Sequence, residues 1–274
     1  MKYVVTALKP YGLIVLTGGS SGIGKAILDS IISAELPISI ANLSRTGPIL
    51  DHKPGDFKHI PTDLEDQAAV RNAFSEVEKF VRERGLSGEI LLINNSGFGC
   101  YGPFPEPSLE DNLKMIDVNL RAAVQLAGLF LPMIRKNGGG VVNIASTASF
   151  QPLSYMSVYA ATKAYLLNWG LALHQELIQE GAFCLTVCPG PTATDFFNRA
   201  GFEGEPTKGM GQTPDQVVET MFRAIRNRKS LVTSGWMNWF LAGIGHTLPA
   251  RWIAPLTAKM IRGLRLETFR KKDV

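Results

Sequence analysis

Leu13-Ile14-Val15-Leu16-Thr17-Gly18-Gly19-Ser20-Ser21-Gly22-Ile23-Gly24-Lys25 decides the fold. A short apolar run leads into a turn with four glycines, and the turn leads into a helical pattern from Lys25 to Ile32. An apolar run of this length fits a strand buried on both faces, the kind found in parallel sheets. Glycines spaced G-x-x-x-G-x-G let backbone come close to a pyrophosphate, and the following helix N-terminus offers it oriented N–H groups. A glycine-rich turn alone is only a turn. Strand before and helix after make it a dinucleotide-binding fingerprint.

Working outward, the same alternation repeats. Ile38 to Leu43 reads as a second strand, ending in Ser44-Arg45, where a carboxylate would take the 2′-hydroxyl of NAD and an arginine the 2′-phosphate of NADP. No Asp or Glu stands between Ile38 and Leu50. NADP(H) is therefore expected over NAD(H), the bland alternative being a solvated surface arginine. Phe57 to Thr62 is a third strand, followed by Asp63 and Leu64; Asp63 either accepts from the adenine amino group or caps the next helix. That helix spans Glu65 to Arg84. Glu89 to Ile93 is a fourth strand, closed by Asn94-Asn95-Ser96-Gly97.

One long helix is expected from Leu109 to Arg135, with Asn119 on it as a surface or capped polar residue. Val141 to Ala145, bounded by Gly138, Gly139 and Gly140, is a fifth strand. A helix then runs from Ser157 to Glu180, and Ala182 to Val187 forms a sixth strand. Cys188-Pro189-Gly190-Pro191-Thr192-Ala193-Thr194 ends it, because proline cannot continue a central strand. Residues 192–212 read as a lid carrying Phe196, Phe197 and Phe202. A helix from Thr213 to Arg228 and a last strand from Ser230 to Thr233 complete an α/β architecture. It is a single-domain, doubly wound parallel sheet of about seven strands with helices on both faces, over residues 1–234. Residues 235–274 form a helical C-terminal extension.

The strand ends converge on one rim, and Ser146, Tyr159 and Lys163 lie there. Tyr159 and Lys163 are i and i+4 on one helix face. An ammonium beside a phenol favours the anion and lowers its pKa, which suits Tyr159 to acid and base work near neutral pH. Ser146, at a strand's carboxyl end, is placed to hydrogen-bond a carbonyl or alcohol oxygen. The Tyr–Lys pair alone is a weak signal that arises often by chance.

The net charge of +4 shows no nucleic-acid footprint, since basic residues are spread along the chain except at its end. Cys100, Cys184 and Cys188 are too few for a disulfide framework or a zinc site, and no metal is expected. No stretch reads as a signal peptide or bilayer span, so a cytoplasmic protein is expected. In the extension, Trp252, Ile253, Leu256, Met260, Ile261 and Leu264 repeat at helical spacing, with Arg251, Lys259, Arg262 and Arg265 opposite. It covers the pocket, packs on a second subunit, or lies in a membrane interface as a basic amphipathic helix.

From about Gly12 to Val232 the chain resembles the short-chain dehydrogenase/reductase family. The resemblance rests on Thr17-Gly-x-x-x-Gly-x-Gly24, Asn94-Asn-x-Gly97, Asn119, Ser146, Tyr159-x-x-x-Lys163, and Pro189-Gly190 with Thr194. It implies a Rossmann-type fold and hydride exchange between a nicotinamide and a carbonyl carbon. Tyr159 would move the proton, Ser146 orient the oxygen, Lys163 hold the nicotinamide ribose and lower the Tyr159 pKa, and Asn119 hold a relay water in a kinked helix. Cofactor contacts would come from Thr17, Gly18, Ser20, Ser21, Gly22, Ile23 and Gly24, then Ser44, Arg45, Asp63 and Leu64. Asn95, Ser96 and Gly97 frame the adenosine side, and Pro189, Gly190, Thr192 and Thr194 follow, Thr194 contacting the carboxamide. The chain departs from the family in having Ser96 for an alanine and Ala145 before Ser146. The tail resembles that of a bacterial subgroup of general short-chain dehydrogenases.

Phe98, Tyr101, Phe104, Phe150, Leu153, Tyr155 and Met156, with the lid residues Phe196 and Phe197, flank the expected site. A hydrophobic ketone or secondary alcohol is the expected substrate, lipid-like, steroid-like or 3-oxoacyl. The resemblance also implies a homodimer or homotetramer through the helices that begin at Leu109 and Ser157. An NADP(H)-binding sensor or scaffold is the alternative of a different class, though it would need no intact Asn119, Ser146 and Tyr159. A nucleotide-sugar epimerase or dehydratase would need a longer segment after Thr194.

Overall fold

The computed structural model describes residues 2–50, 56–85, 87–106, 108–202 and 211–263. Seven strands form one sheet: β1 (Tyr11–Thr17), β2 (Ser39–Ser44), β3 (Phe57–Pro61), β4 (Glu89–Asn94), β5 (Gly139–Ile144), β6 (Ala182–Pro189) and β7 (Leu231–Ser234). Their order is β3-β2-β1-β4-β5-β6-β7, and each pairs with its neighbours in parallel. Every residue of β1 is buried, and its side chains alternate between two cores. Ile14 and Leu16 join Ile27, Leu28, Val217 and Phe222 on one face. Leu13 and Val15 join Val70, Val77, Leu126 and Leu173 on the other. The strand order reverses between β1 and β4, so the crevice at their carboxyl ends is the sheet's natural binding position.

Helices α2 (Gly22–Ile32) and α8 (Pro214–Arg226) cover the first face; α3 (Gln67–Arg84), α5 (Ala122–Asn137) and α6 (Ser157–Ile178) cover the second. α8 starts with a complete capping box between Thr213 and Gln216 behind Pro214. A helix absent from the sequence reading, α1 (Lys2–Leu8), precedes β1. It is too short to show a helical period, yet Val4, Ala7 and Leu8 are buried in the first core.

Several element ends shift by one to three residues; β6, expected to end before Cys188, runs on to Pro189, which pairs with Ser234 of β7, and two further differences change the local structure. The long helix from Leu109 is three pieces: α4 (Leu109–Ile116), a π-helical turn (Asp117–Arg121) and α5. A π turn leaves the apolar pattern of a continuous helix intact, so the pattern conceals it. Gly139 and Gly140, expected to bound β5, are its first residues. They are needed for close packing: a Cβ on Gly139 would lie 2.0 Å from the Ile90 carbonyl oxygen, and one on Gly140 2.5 Å from that of Phe183.

After β7 come α9 (Trp236–Thr247) and α10 (Ala250–Gly263). α9 packs on β7 and on the 3₁₀ turn Thr147–Phe150. α10 hangs from the rim by three hydrogen bonds: Thr257 Oγ1 to the Pro152 carbonyl (3.0 Å), Ser154 Oγ to Ala254 O (3.5 Å) and Tyr101 Oη to Ile261 O (3.4 Å). Leu264 and Arg265, assigned to this helix by pattern, lie outside the described residues, as do residues 203–210 of the lid. No described helix is long and apolar enough to cross a membrane.

Leu8 is fully buried, so Leu8→Ala should lower the unfolding free energy by about 2–5 kcal/mol in urea titration. A loss below about 0.5 kcal/mol would mean that α1 does not dock.

Candidate active site

The turn after β1 is built by backbone geometry that only glycine supplies cheaply. Gly18 and Gly22 have φ of +71° and +55°, in the left-handed region. A Cβ on Gly24 would stand 2.1 Å from the Gly18 carbonyl oxygen. Gly24 therefore closes the turn onto its own helix, while a Cβ on Gly22 would lie 3.4 Å from the Thr194 methyl. Ser21 makes no side-chain cap to α2, which leaves the helix N-terminal N–H groups without a side-chain cap. The side chain of Asn95, a residue expected to frame the adenosine side, braces this turn. Its Nδ2 donates to the Thr17 and Gly18 carbonyls (2.9 and 3.3 Å), and the Thr17 hydroxyl accepts from the Asn95 and Ser96 N–H groups (both 2.9 Å).

At the end of β2 the hydroxyl of Ser44 is turned inward, accepting from Asn42 Nδ2 (2.9 Å) and donating to the Thr46 carbonyl (2.8 Å). Arg45 points outward with 73% of its side chain exposed, 3.9 Å from Glu65. Asp63 accepts from the Glu65 N–H (3.0 Å), but the residue that caps α3 is Asp66. Leu64 is buried in the second core. Thr192 is buried too and donates to the Gly190 carbonyl (2.9 Å). Gly190 lies under α9, where a Cβ would be 2.2 Å from Asn238 Nδ2.

Tyr159, Lys163 and Asn119 are buried at the same rim. Lys163 Nζ donates to the Ile144 carbonyl (2.8 Å) and stands 5.8 Å from the Tyr159 ring centroid. Asn119 lies in the π turn, where its amide clamps the loop after β4 to α6. Nδ2 donates to Phe98 O (2.9 Å) and Thr162 Oγ1 (3.2 Å), and Oδ1 accepts from Phe98 N–H (3.0 Å). A Cβ on Gly97 would meet both Asn119 Oδ1 (3.0 Å) and Lys163 Nζ (3.1 Å), so these groups border one small space. Ser146 Oγ accepts from the Ala148 N–H (3.1 Å), leaving its own O–H to donate.

The expected lowering of the Tyr159 pKa by Lys163 is not what dominates. Burial pushes the phenol up to about 12, and the Ser146 hydrogen bond pulls it part of the way back. Burial also pulls Lys163 down to about 8. Both shifts have one cause, the cost of a charge in a dry site.

Aromatic side chains wall this space. The Phe196 ring is 5.3 Å from Tyr159, Phe197 is 5.4 Å from Phe196, Phe202 is 5.4 Å from Phe197, and Tyr101 is 4.3 Å from Phe202. Met156, Phe98, Leu153, Tyr155 and Ile261 share the cluster. Phe150 does not belong to it; it packs with Ala145, Leu166 and Cys188 behind the rim. Phe104 is largely exposed. Tyr155 has φ of +64°, a strained conformation for a non-glycine residue, and its carbonyl accepts from the Gly102 N–H (2.9 Å). Over its described part the expected lid is a short helix, α7 (Phe196–Arg199), with Phe202 buried behind it.

The short chain dehydrogenase family profile matches residues 12–203. The chain belongs to that family. Among its relatives is the ketoacyl reductase HetN of a Nostoc species, 31% identical over 227 residues that cover 80% of this chain and 77% of that one. Another is an NADPH-dependent 3-dehydrocapnine reductase of Ornithobacterium rhinotracheale, 31% identical, covering 71% of this chain and 70% of that one. A Burkholderia cenocepacia short chain dehydrogenase in complex with NADP shares the fold at a TM-score of 0.71 with 20% identity, over 87% of this chain and 98% of that one.

One residue of this dehydrogenase that the sequence reading missed is Arg199. It extends from α7, pairs with Asp195 (2.8 Å) and reaches Ser21 Oγ (3.5 Å) across the glycine turn. Nothing in an isolated Arg at the end of a four-residue helix signals this in the sequence. Its partner is 178 positions away.

Lys163 gives a prediction with a definite sign. Between about 8 and 10.5 the unfolded chain keeps a proton on this lysine that the folded chain has released, so its contribution to stability rises with pH across that window. Wild type should therefore gain on Lys163→Met in urea unfolding as pH goes from below 8 toward 10. A constant difference would show that Lys163 titrates as an exposed lysine.

Proposed function

We propose that this dehydrogenase is an NADP(H)-dependent reductase of hydrophobic ketones, with Tyr159 as the proton donor. One observation carries the reading. A buried tyrosine with a hydroxyl-bearing serine and a buried lysine beside it opens onto an aromatic wall, across the rim from an uncapped helix N-terminus. The residues suit NADP(H): α2 offers its N–H groups to the pyrophosphate, Gly22 leaves room for it, and Arg45 is open to a 2′-phosphate with no acidic residue on its strand end. Lys163 would hold the nicotinamide ribose, and Thr194, against Gly22, the carboxamide end. The NADP- and NADPH-dependent relatives support this choice of cofactor. Bound there, the nicotinamide supplies the hydride.

The chain's own groups then do the rest. Ser146 donates to the carbonyl oxygen and fixes its position; Tyr159 donates its proton to the same oxygen as negative charge develops there. A phenol held at about 12 stays protonated at neutral pH and so has a proton to donate. The protonated fraction of Lys163 stabilises the phenolate left behind. Asn119 keeps the Phe98 loop seated against α6, so the wall and the proton donor hold their spacing. The aromatic wall takes an apolar substrate body, and the ketoacyl reductase relative is in keeping with a lipid-like or 3-oxoacyl carbonyl compound. We also place a homo-oligomer contact on α4 and α6, where Leu109, Leu113 and Tyr165 are exposed.

Titrating the protein with NADPH and NADH by fluorescence tests the cofactor. NADPH should bind more tightly, and Arg45→Ala should weaken NADPH selectively, by about tenfold or more. In a screen of apolar ketones, Tyr159→Phe should lower turnover by at least about 10²-fold with NADPH affinity retained. NADPH binding with no turnover of any ketone would favour the sensor or scaffold alternative, and equal turnover in Tyr159→Phe would remove Tyr159 as the proton donor.

A further inference from the structure

The last two helices show water their apolar sides. In α9, Asn238, Ala242 and Gly245 face the body at i, i+4 and i+7. The opposite stripe is Trp236, Trp239, Phe240 and Ile244, and the two tryptophans are 79% and 68% exposed. In α10, Ile253, Thr257 and Ile261 are buried, and the next stripe round the helix, Trp252, Leu256 and Met260, is 57%, 64% and 58% exposed. Beyond it come Arg251 and Lys259, both exposed. Arg251 lies 5.7 Å from the Trp252 ring. A helix on a water-soluble surface shows the reverse order of faces.

Positive charge is concentrated in the same stretch of sequence. Residues 235–274 hold seven lysines and arginines against two acidic residues, a net +5 in a chain whose total is +4, so residues 1–234 are left at −1. No Asp or Glu occurs from Gly235 to Gly263.

We propose that the outer face of α9 and α10 docks on an anionic lipid surface. Tryptophan prefers the headgroup level of a bilayer, aliphatic side chains the acyl boundary, and a flanking cation stripe the negative lipid charge. A second copy of this chain fits less well. In a twofold pairing the same patch serves both partners, so neither brings a carboxylate to the other's arginines. Docked this way, α10 touches lipid on one side and walls the site on the other, through Ile261 packed with Tyr101, Met156 and Tyr159. An apolar carbonyl compound dissolved in the bilayer would then reach Tyr159 along α10. That delivery role rests on the reductase reading; the docking itself does not.

Three of the four tryptophans, Trp236, Trp239 and Trp252, lie on this face, so the native fluorescence reports on it. The full chain is mixed with vesicles of phosphatidylcholine alone or with about one third phosphatidylglycerol, then floated on a gradient. Flotation and a blue-shifted emission are expected with the anionic vesicles, reduced by raised salt and at least about tenfold weaker without phosphatidylglycerol. Phe240→Ser/Leu256→Ser, which keeps the reporters, should weaken binding at least about tenfold while NADPH affinity and melting temperature hold. Arg251→Glu/Lys259→Glu should abolish the anionic preference. Failure to float on anionic vesicles at low salt would overturn the proposal. So would light scattering that shows a dimer abolished by the Phe240/Leu256 pair, which would assign the face to a second copy. Vesicle binding with no NADPH binding would sink the reductase reading and leave the docking standing.

Discussion

The carboxyl ends of β1 and β4 are tied by one side-chain exchange, and the site is assembled around it. The Thr17 hydroxyl takes two N–H groups from the end of β4, and the Asn95 amide returns two hydrogen bonds to the end of β1. These are the strands between which the sheet reverses its order, so no helix crossover joins them directly over the crevice. Without the exchange, two N–H groups at the end of β4 and two carbonyls at the end of β1, all part-buried, would lose these partners. With it, the glycine turn and the loop of Phe98 are set relative to each other before any ligand arrives.

Asn119 repeats this logic one layer further out. The π turn lets its amide turn toward Phe98 and Thr162, where a regular helix would carry it past. The clamp encloses Lys163 and Tyr159 in a dry space, and dryness moves their proton affinities in opposite directions. The rim therefore holds a local instability: two ionisable groups sit where neither ion is comfortable, and the surrounding packing offsets it.

Much of this is legible in the sequence because it depends on short-range pattern. The parallel strands, the glycine turn and the Tyr159–Lys163 spacing follow from runs, spacings and flanks. What stays hidden depends on contacts between distant positions. That the Asn95 amide ties Thr17 and Gly18 cannot be read from its neighbours in sequence. Phe150 sits near the right strand end in sequence, but its turn sends the ring to the other side of the rim. The direction of the Tyr159 shift follows from burial depth, which spacing does not encode. α1 is hidden for a plainer reason, since seven residues are fewer than two full helical periods need.

The clasp at the base of the lid has a consequence of another kind. Thr192 and Gln212 pair with each other, Ala193 N–H donates to Gln212 O (2.9 Å), and Gln212 N–H donates to Pro191 O (3.0 Å). The two ends of the intervening stretch, at Ala193 and Gln212, thus lie side by side at a single doorway. Lengthening such an insert adds closure entropy only logarithmically and leaves the strands untouched. The doorway thus uncouples the shape of the aromatic wall from the stability of the sheet, and one can be remodelled through descent while the other is kept.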